Sequence, residues 1–244
     1  MSTIILTSCL DLYEIDEKGN RIPHNFGNEN GILDCLKKEL KNCNNFLFVA
    51  RGLDDDRTWQ YYENTCKSFQ ITLPFKNYNI LNYSTKHIAK ELVENADLIF
   101  LCGGHLPTQN KFFNEINLRE LLKSTNALIV GGSAGSMNCA DIVYCPPEIE
   151  GESENPNFQR YLKGLGLTKI NILPHYQDFK DYILDGKRYL EDIILPDSYN
   201  TKIIAINDGS FIVIKNGKEK IHGEYFIITN GKINRRNSKR NKKS

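Results

Sequence analysis

No apolar run among the 244 residues approaches the ~20 needed to cross a bilayer as a helix, and the first ten positions hold no basic leader or cleavage pattern. A cytoplasmic chain without a membrane partner is the expectation. Regular cysteine spacing is also missing. The seven cysteines, an odd number, lie at 9, 35, 43, 66, 102, 139 and 145, with no Cys-x-x-Cys pair and no metal-ligand spacing. That argues against a disulfide scaffold or zinc ribbon and for reduced thiols in a core. Nor is there an excess of one charge, at 31 basic against 30 acidic residues. Six of the basic ones (Arg235, Arg236, Lys239, Arg240, Lys242 and Lys243) crowd the last ten positions, and removing them turns the net charge of +1 into −5. An acidic body argues against nucleic-acid binding. Residues 234–244 are expected to be a basic, flexible tail outside a single domain spanning 1–233.

What is present is an alternation of short apolar blocks with helical periods. Ile4–Leu6, Phe46–Val49, Leu98–Leu101 and Ala127–Val130 are continuously apolar, as suits strands buried on both faces of a parallel sheet. Ile32, Leu33, Leu36 and Leu40 share one helical face, as do Trp59, Tyr62, Cys66 and Phe69, and again Ile88, Leu92, Val93 and Ala96. The order implies an α/β fold: a doubly wound, mostly parallel sheet with helices on both faces and functional groups at the carboxyl ends of its strands. Residues 145–156, rich in Pro and Glu, read as a surface loop, and a helix is expected near Phe179–Tyr189. Later blocks at Ile203–Ile206, Phe211–Ile214 and Tyr225–Ile228 alternate with turn signals at Asp208-Gly209, Asn216-Gly217 and Asn230-Gly231. These read as antiparallel hairpins.

The strongest local signal is Gly131-Gly132-Ser133-Ala134-Gly135, a G-x-S-x-G pattern between a buried strand and a plausible helix. A sharp strand-to-helix turn lifts the serine hydroxyl above the sheet edge and aims the Ala134 amide at the same spot, which suits a nucleophile. The alternative is a phosphate-cradling turn. Cys102-Gly103-Gly104-His105 ends the preceding strand, where a glycine amide is placed to supply a second oxyanion donor. Of five histidines, His175 follows an apolar strand and is the candidate base; His105 lies beside the glycine turn and is placed to touch substrate; His24, His87 and His222 read as solvated or packed. Asp208 would complete a Ser, His, Asp order, although Asp-Gly is also ordinary hairpin chemistry. Asp141, Glu148 and Asp178 compete with it. Cys102 and Cys139 read as packed thiols, and the glutamates of residues 148–154 as a solvated face, with contact to a peptide's α-ammonium as the alternative.

From Ile4 to Ile228 these features resemble the S51 serine peptidases, which include dipeptidase E (aspartyl dipeptidase) and cyanophycinase and whose fold is related to class I glutamine amidotransferases. The resemblance rests on Leu101-Cys102-Gly103-Gly104, Gly132-Ser133-Ala134-Gly135, Leu173-Pro174-His175-Tyr176 and Ala205-Ile206-Asn207-Asp208-Gly209-Ser210. It implies Ser133 as nucleophile, His175 as base, and Gly104 with Ala134 as the oxyanion hole. Asp208 stands where dipeptidase E has a glutamate, and Gly103 to Gln109 depart from that family's Gly-Gly-Gly-Asn-Thr stretch. Arg57 is a candidate for holding an aspartyl side chain, against the reading of a solvated arginine at a helix start. The implied activity is hydrolysis of short peptides, Asp-X dipeptides among them, through an acyl-enzyme without metal or organic cofactor. Cyanophycinase-type isopeptide hydrolysis and a silent small-ligand binding module are the rivals. The oligomeric state is left open, a homodimer included.

Overall fold

The computed structural model describes residues 2–237. The strands of its two larger sheets are β1 (Ile4–Thr7), β2 (Asn45–Val49), β3 (Asn77–Leu81), β4 (Leu98–Leu101), β5 (Leu128–Gly132), β6 (Asn171–Leu173), β7 (Ile203–Ile206), β8 (Phe211–Lys215), β9 (Lys218–His222), β10 (Glu224–Thr229) and β11 (Lys232–Asn237). A seven-stranded sheet has the order β9-β8-β1-β5-β4-β2-β3, and a four-stranded sheet the order β6-β7-β10-β11. Strands β1 to β5 run parallel, while β8 joins β1 antiparallel. The helices are α1 (Ile32–Glu39), α2 (Asp56–Thr72), α3 (Ala89–Asn95), α4 (Leu106–Glu115), α5 (Leu118–Ser124) and α6 (Ala134–Met137). None of the described helices is long and apolar enough to cross a membrane.

The two-residue period of a strand sends alternate side chains to opposite faces, and both faces here are apolar. Ile5, Phe46, Phe48, Phe100 and Val130 pack with α1 and α2 through Ile32, Leu36, Cys66 and Phe69. Leu6, Leu47, Val49, Leu101 and Ile129 pack with α3 to α6 through Val93, Phe112, Leu122 and Met137. The doubly wound expectation holds, and it sets the carboxyl ends of β1, β4 and β5 side by side. The smaller sheet shares that second core through Ile172, Ile204 and Ile206, and its other face closes on a cluster with Tyr189, Ile193 and Phe226.

Four local expectations need correction. Asp208-Gly209 is not a hairpin turn: β7 pairs with β6 and β10, β8 pairs with β1 and β9, and the two residues carry the chain from one sheet to the other. Asn216-Gly217 and Asn230-Gly231 do close hairpins. The helix expected at Phe179–Tyr189 is replaced by a 3-10 turn at Tyr176–Asp178 and a short ladder of Ile183–Leu184 on Lys187–Arg188. Asp185 (φ 52°) and Gly186 (φ 75°) both take left-handed conformations between those strands, which a helix interior does not accommodate. Residues 145–156 are only partly a surface loop, since Cys145, Pro146 and Pro147 are buried. Finally, Asn234 to Asn237 are not tail: they pair with Ile227 to Glu224, so the strand outruns the expected boundary at 233 because its edge ladder needs no apolar side chains. The rest of the expected tail lies outside the described residues.

Candidate active site

Ser133 directly follows β5 and has φ 49° and ψ −118°, a conformation that non-glycine residues adopt only when their surroundings enforce it. The enforcement is visible. Its N–H donates to the carbonyls of Thr7 and Ser8 at 3.2 and 2.8 Å. A Cβ at Gly135 would lie 2.1 Å from the Leu101 carbonyl oxygen, and one at Gly131 2.7 Å from Ser136 Cα, so the glycines let the turn press against its neighbours. Helix α6 then runs for only four residues.

His175, two residues past β6, takes a left-handed conformation, φ 56° and ψ 33°. Its Nε2 stands 3.1 Å from Ser133 Oγ, and its Nδ1 stands 2.8 Å from Asp208 Oδ1. With the proton on Nδ1, the imidazole donates to Asp208 and accepts from Ser133. Asp208 is fixed in turn. Gln177 Nε2 donates to Asp208 Oδ2 at 2.7 Å, and the Asp208 N–H donates back to Gln177 Oε1 at 3.0 Å. Ser8, fully buried, donates its hydroxyl to Asp208 Oδ1 and accepts the His175 N–H at 2.7 Å. Partial burial works against the Asp208 charge, but the bonds from His175 and Ser8 prevail and hold the carboxyl at about 2. The Cys9 thiol beside it is pushed up to about 12 by burial and by the Asp208 charge, which leaves it inert as a nucleophile.

The candidate oxyanion donors lie on adjacent strand ends. A Cβ at Gly103 would lie 3.2 Å from Ser133 Cβ. The Gly103 amide faces the Tyr61 hydroxyl, whereas the Gly104 and Ala134 amides have no hydrogen-bond partner among the described residues. Two cavities meet at Ser133, His175 and Gly104. The larger, about 660 Å³, is lined by Arg21, Arg51, Arg57 and Tyr61 and roofed in part by the hairpin of Tyr13–Ile15 and Arg21–Pro23. Arg51 is held by Asp55 at 2.8 Å, and Asp55 also caps α2 through the Thr58 N–H. The smaller, about 210 Å³, is lined by Glu148, Phe179, Tyr182 and Tyr189.

Sequence-derived candidates fall on both sides of this geometry. Ser133, His175, Asp208, Gly104 and Ala134 come together, and Arg57 lines the larger cavity. His105 lines neither cavity: Thr108 Oγ1 holds its Nδ1 at 2.7 Å and Glu152 Oε1 its Nε2 at 2.8 Å, so it braces residues 148–152. Asp141 is drawn away to Arg119 at 2.8 Å. Asp178, His175 and Asp208 offer ligand atoms within 4.8 Å of one another, but His175 Nδ1 and Asp208 Oδ1 already pair with each other. His24 pairs with Asp11, His87 is exposed, and His222 stacks on Phe211. Burial pushes the Cys102 thiol to about 12 and raises Cys139 too. Ser8 and Gln177 escape sequence reading; the one hint is that each lies within two residues of an apolar strand or of the candidate base.

Comparison with known proteins bears on this arrangement. The model of peptidase family S51 matches residues 22–222. No curated protein matches the chain. Among solved structures, the crystal structure of a "Putative Peptidase E Protein" from Listeria monocytogenes EGD-e superposes with a TM-score of 0.59 at 15% identity, covering 91% of this chain and 98% of that one. At that identity the likeness speaks for the fold.

Proposed function

This chain belongs to peptidase family S51, and on that premise we propose that it is a serine peptidase of short peptides that works through Ser133, His175 and Asp208. The observation that carries the proposal is the continuous path of contacts, 3.1 Å from Ser133 Oγ to His175 Nε2 and 2.8 Å from His175 Nδ1 to Asp208 Oδ1, on a strained nucleophile. His175 takes the hydroxyl proton as Ser133 Oγ attacks the scissile carbonyl. The amides of Gly104 and Ala134 receive the oxyanion, and the imidazolium protonates the leaving amine. Water, deprotonated by the same imidazole, then releases the acid and restores Ser133. Asp208 keeps the proton on Nδ1 and stabilises the imidazolium while remaining ionised.

Specificity for an acidic residue on the acyl side is supported by the larger cavity, where Arg51 and Arg57 offer guanidinium groups suited to a carboxylate. Arg57 forms no ion pair among the described residues and so is open to a substrate. A complete triad favours catalysis over silent ligand binding. The test is labelling with a fluorophosphonate, expected at Ser133 and absent in Ser133→Ala, followed by turnover of a panel of α-linked Asp-X dipeptides against β-linked aspartyl amides. Preference for the α-linked set supports the dipeptidase reading, and preference for the β-linked set the isopeptide alternative. An unlabelled Ser133 with no turnover of any amide would refute the peptidase.

A further inference from the structure

Glu148 sits where the sequence suggested a solvated acidic face, yet its side chain lines the smaller cavity together with Ser133 and His175. It is the only carboxylate among the described residues of that lining. Its Oε2 accepts the Leu106 N–H at 3.2 Å, and no Lys or Arg pairs with it among the described residues. Its position is built rather than incidental. The Glu148 N–H donates to Glu152 Oε2 at 2.8 Å, and Glu152 is held in turn by His105. Burying a carboxylate without a counter-cation is costly, and burial raises this one to about 7. The groups facing it are His105, His175 and Glu152, with the Cys145 thiol and the Tyr189 phenol. Phe179, Tyr182 and Tyr189 complete a lining whose rings attract cations over their faces.

We propose that the smaller cavity is a cation subsite beside the nucleophile, in which Glu148 receives a substrate ammonium group and so determines specificity. The proposal rests on the peptidase reading above. A peptide has two sources of that chemistry: the α-ammonium of the residue under attack, or a lysine side chain beyond the scissile bond. With guanidinium groups in one cavity and a carboxylate in the other, the two sides of Ser133 would select opposite charges.

Equilibrium binding to the Ser133→Ala chain tests this with Asp-Lys, N-acetyl-Asp-Lys and Asp-norleucine, each with and without Glu148→Gln. The glutamine swap is nearly isosteric. At pH 8 it is expected to weaken Asp-Lys about 10- to 100-fold, and the loss should shrink at pH 6. If acetylation erases the Glu148→Gln effect, the α-ammonium is the ligand; if norleucine does, the side chain is. Glu148→Asp, which keeps the charge on a shorter arm, should retain part of the cation preference. An effect equal across all three peptides, no effect, or no measurable binding overturns the subsite. Fluorophosphonate labelling separates the two readings. A labelled Ser133 with a flat binding series removes the subsite and leaves the peptidase; an unlabelled Ser133 with a cation-dependent series removes the peptidase.

Discussion

Single side chains decide whether this site works, and they differ in how openly the sequence displays them. Ser133 and His175 are legible because each lies within two residues of the end of an apolar strand, and a parallel fold gathers strand ends; Asp208 shares that position but reads equally as a hairpin turn. Replacing Ser133 with Ala should cut kcat by about 10³-fold or more with the fold intact, checked by circular dichroism beside turnover. Asp208→Asn should cost about 10⁴-fold, since the amide can hold the imidazole in the wrong tautomer. Ser8 was not legible, because a hydroxyl after a strand carries no pattern of its own. Its one oxygen ties the His175 backbone to the Asp208 carboxylate. Ser8→Ala should therefore lower kcat about tenfold with KM little changed, whereas a merely structural loss would reduce the active fraction seen by fluorophosphonate titration. Glu148 supplies a stability test. Its folded-state pKa lies above the ordinary 4.5, at about 7, so the folded chain keeps this proton longer than the unfolded one. Its contribution to stability accordingly falls as pH rises from 4.5 to 7. Glu148→Gln should melt higher than the parent above pH 7, by about 1–3 kcal/mol, and equal it below pH 4.5.

Elements explain which parts of the local reading failed. Helices α1 to α3 and strands β1, β2, β4 and β5 follow from apolar runs and periods that tertiary packing reinforces, whereas the edge strand β3, which begins Asn-Tyr-Asn, carries no such run. The segment after His175 carries a helix-like period too, but Asp185-Gly186 takes the left-handed turn that its composition invites, and Asp185 accepts the Gly151 and Ser153 amides. The Pro- and Glu-rich stretch fails for a related reason: composition reports solubility, and says little about where a braced loop tucks two prolines and a carboxylate. At the start of α2, Asp55 serves the helix and the site together, capping the Thr58 N–H while holding Arg51 in the larger cavity. Asp55→Ala should cost about 1 kcal/mol of stability and raise KM for Asp-first dipeptides while kcat stays near the parent value. Denaturant melts and steady-state kinetics on the same preparations check both halves.

Across the whole molecule, the residues of the proposed site are divided between two sheets. Ser133 and Ser8 follow strands of the seven-stranded sheet, whereas His175 and Asp208 follow strands of the four-stranded one. Pairing order could not be read from hydrophobic pattern, since Asp208-Gly209 looks locally like any hairpin turn. An opening that parts the sheets abolishes the triad while leaving the parallel sheet intact. Activity in urea should thus be lost at a lower midpoint than the far-ultraviolet signal; coincident midpoints would mean that the sheets unfold as one. The bond between Ser8 and Asp208 joins positions 200 residues apart. During translation Ser133 leaves the ribosome before His175, and His175 before Asp208. A growing chain thus holds Ser133 without its histidine and carboxylate partners until almost the entire described fold has been made.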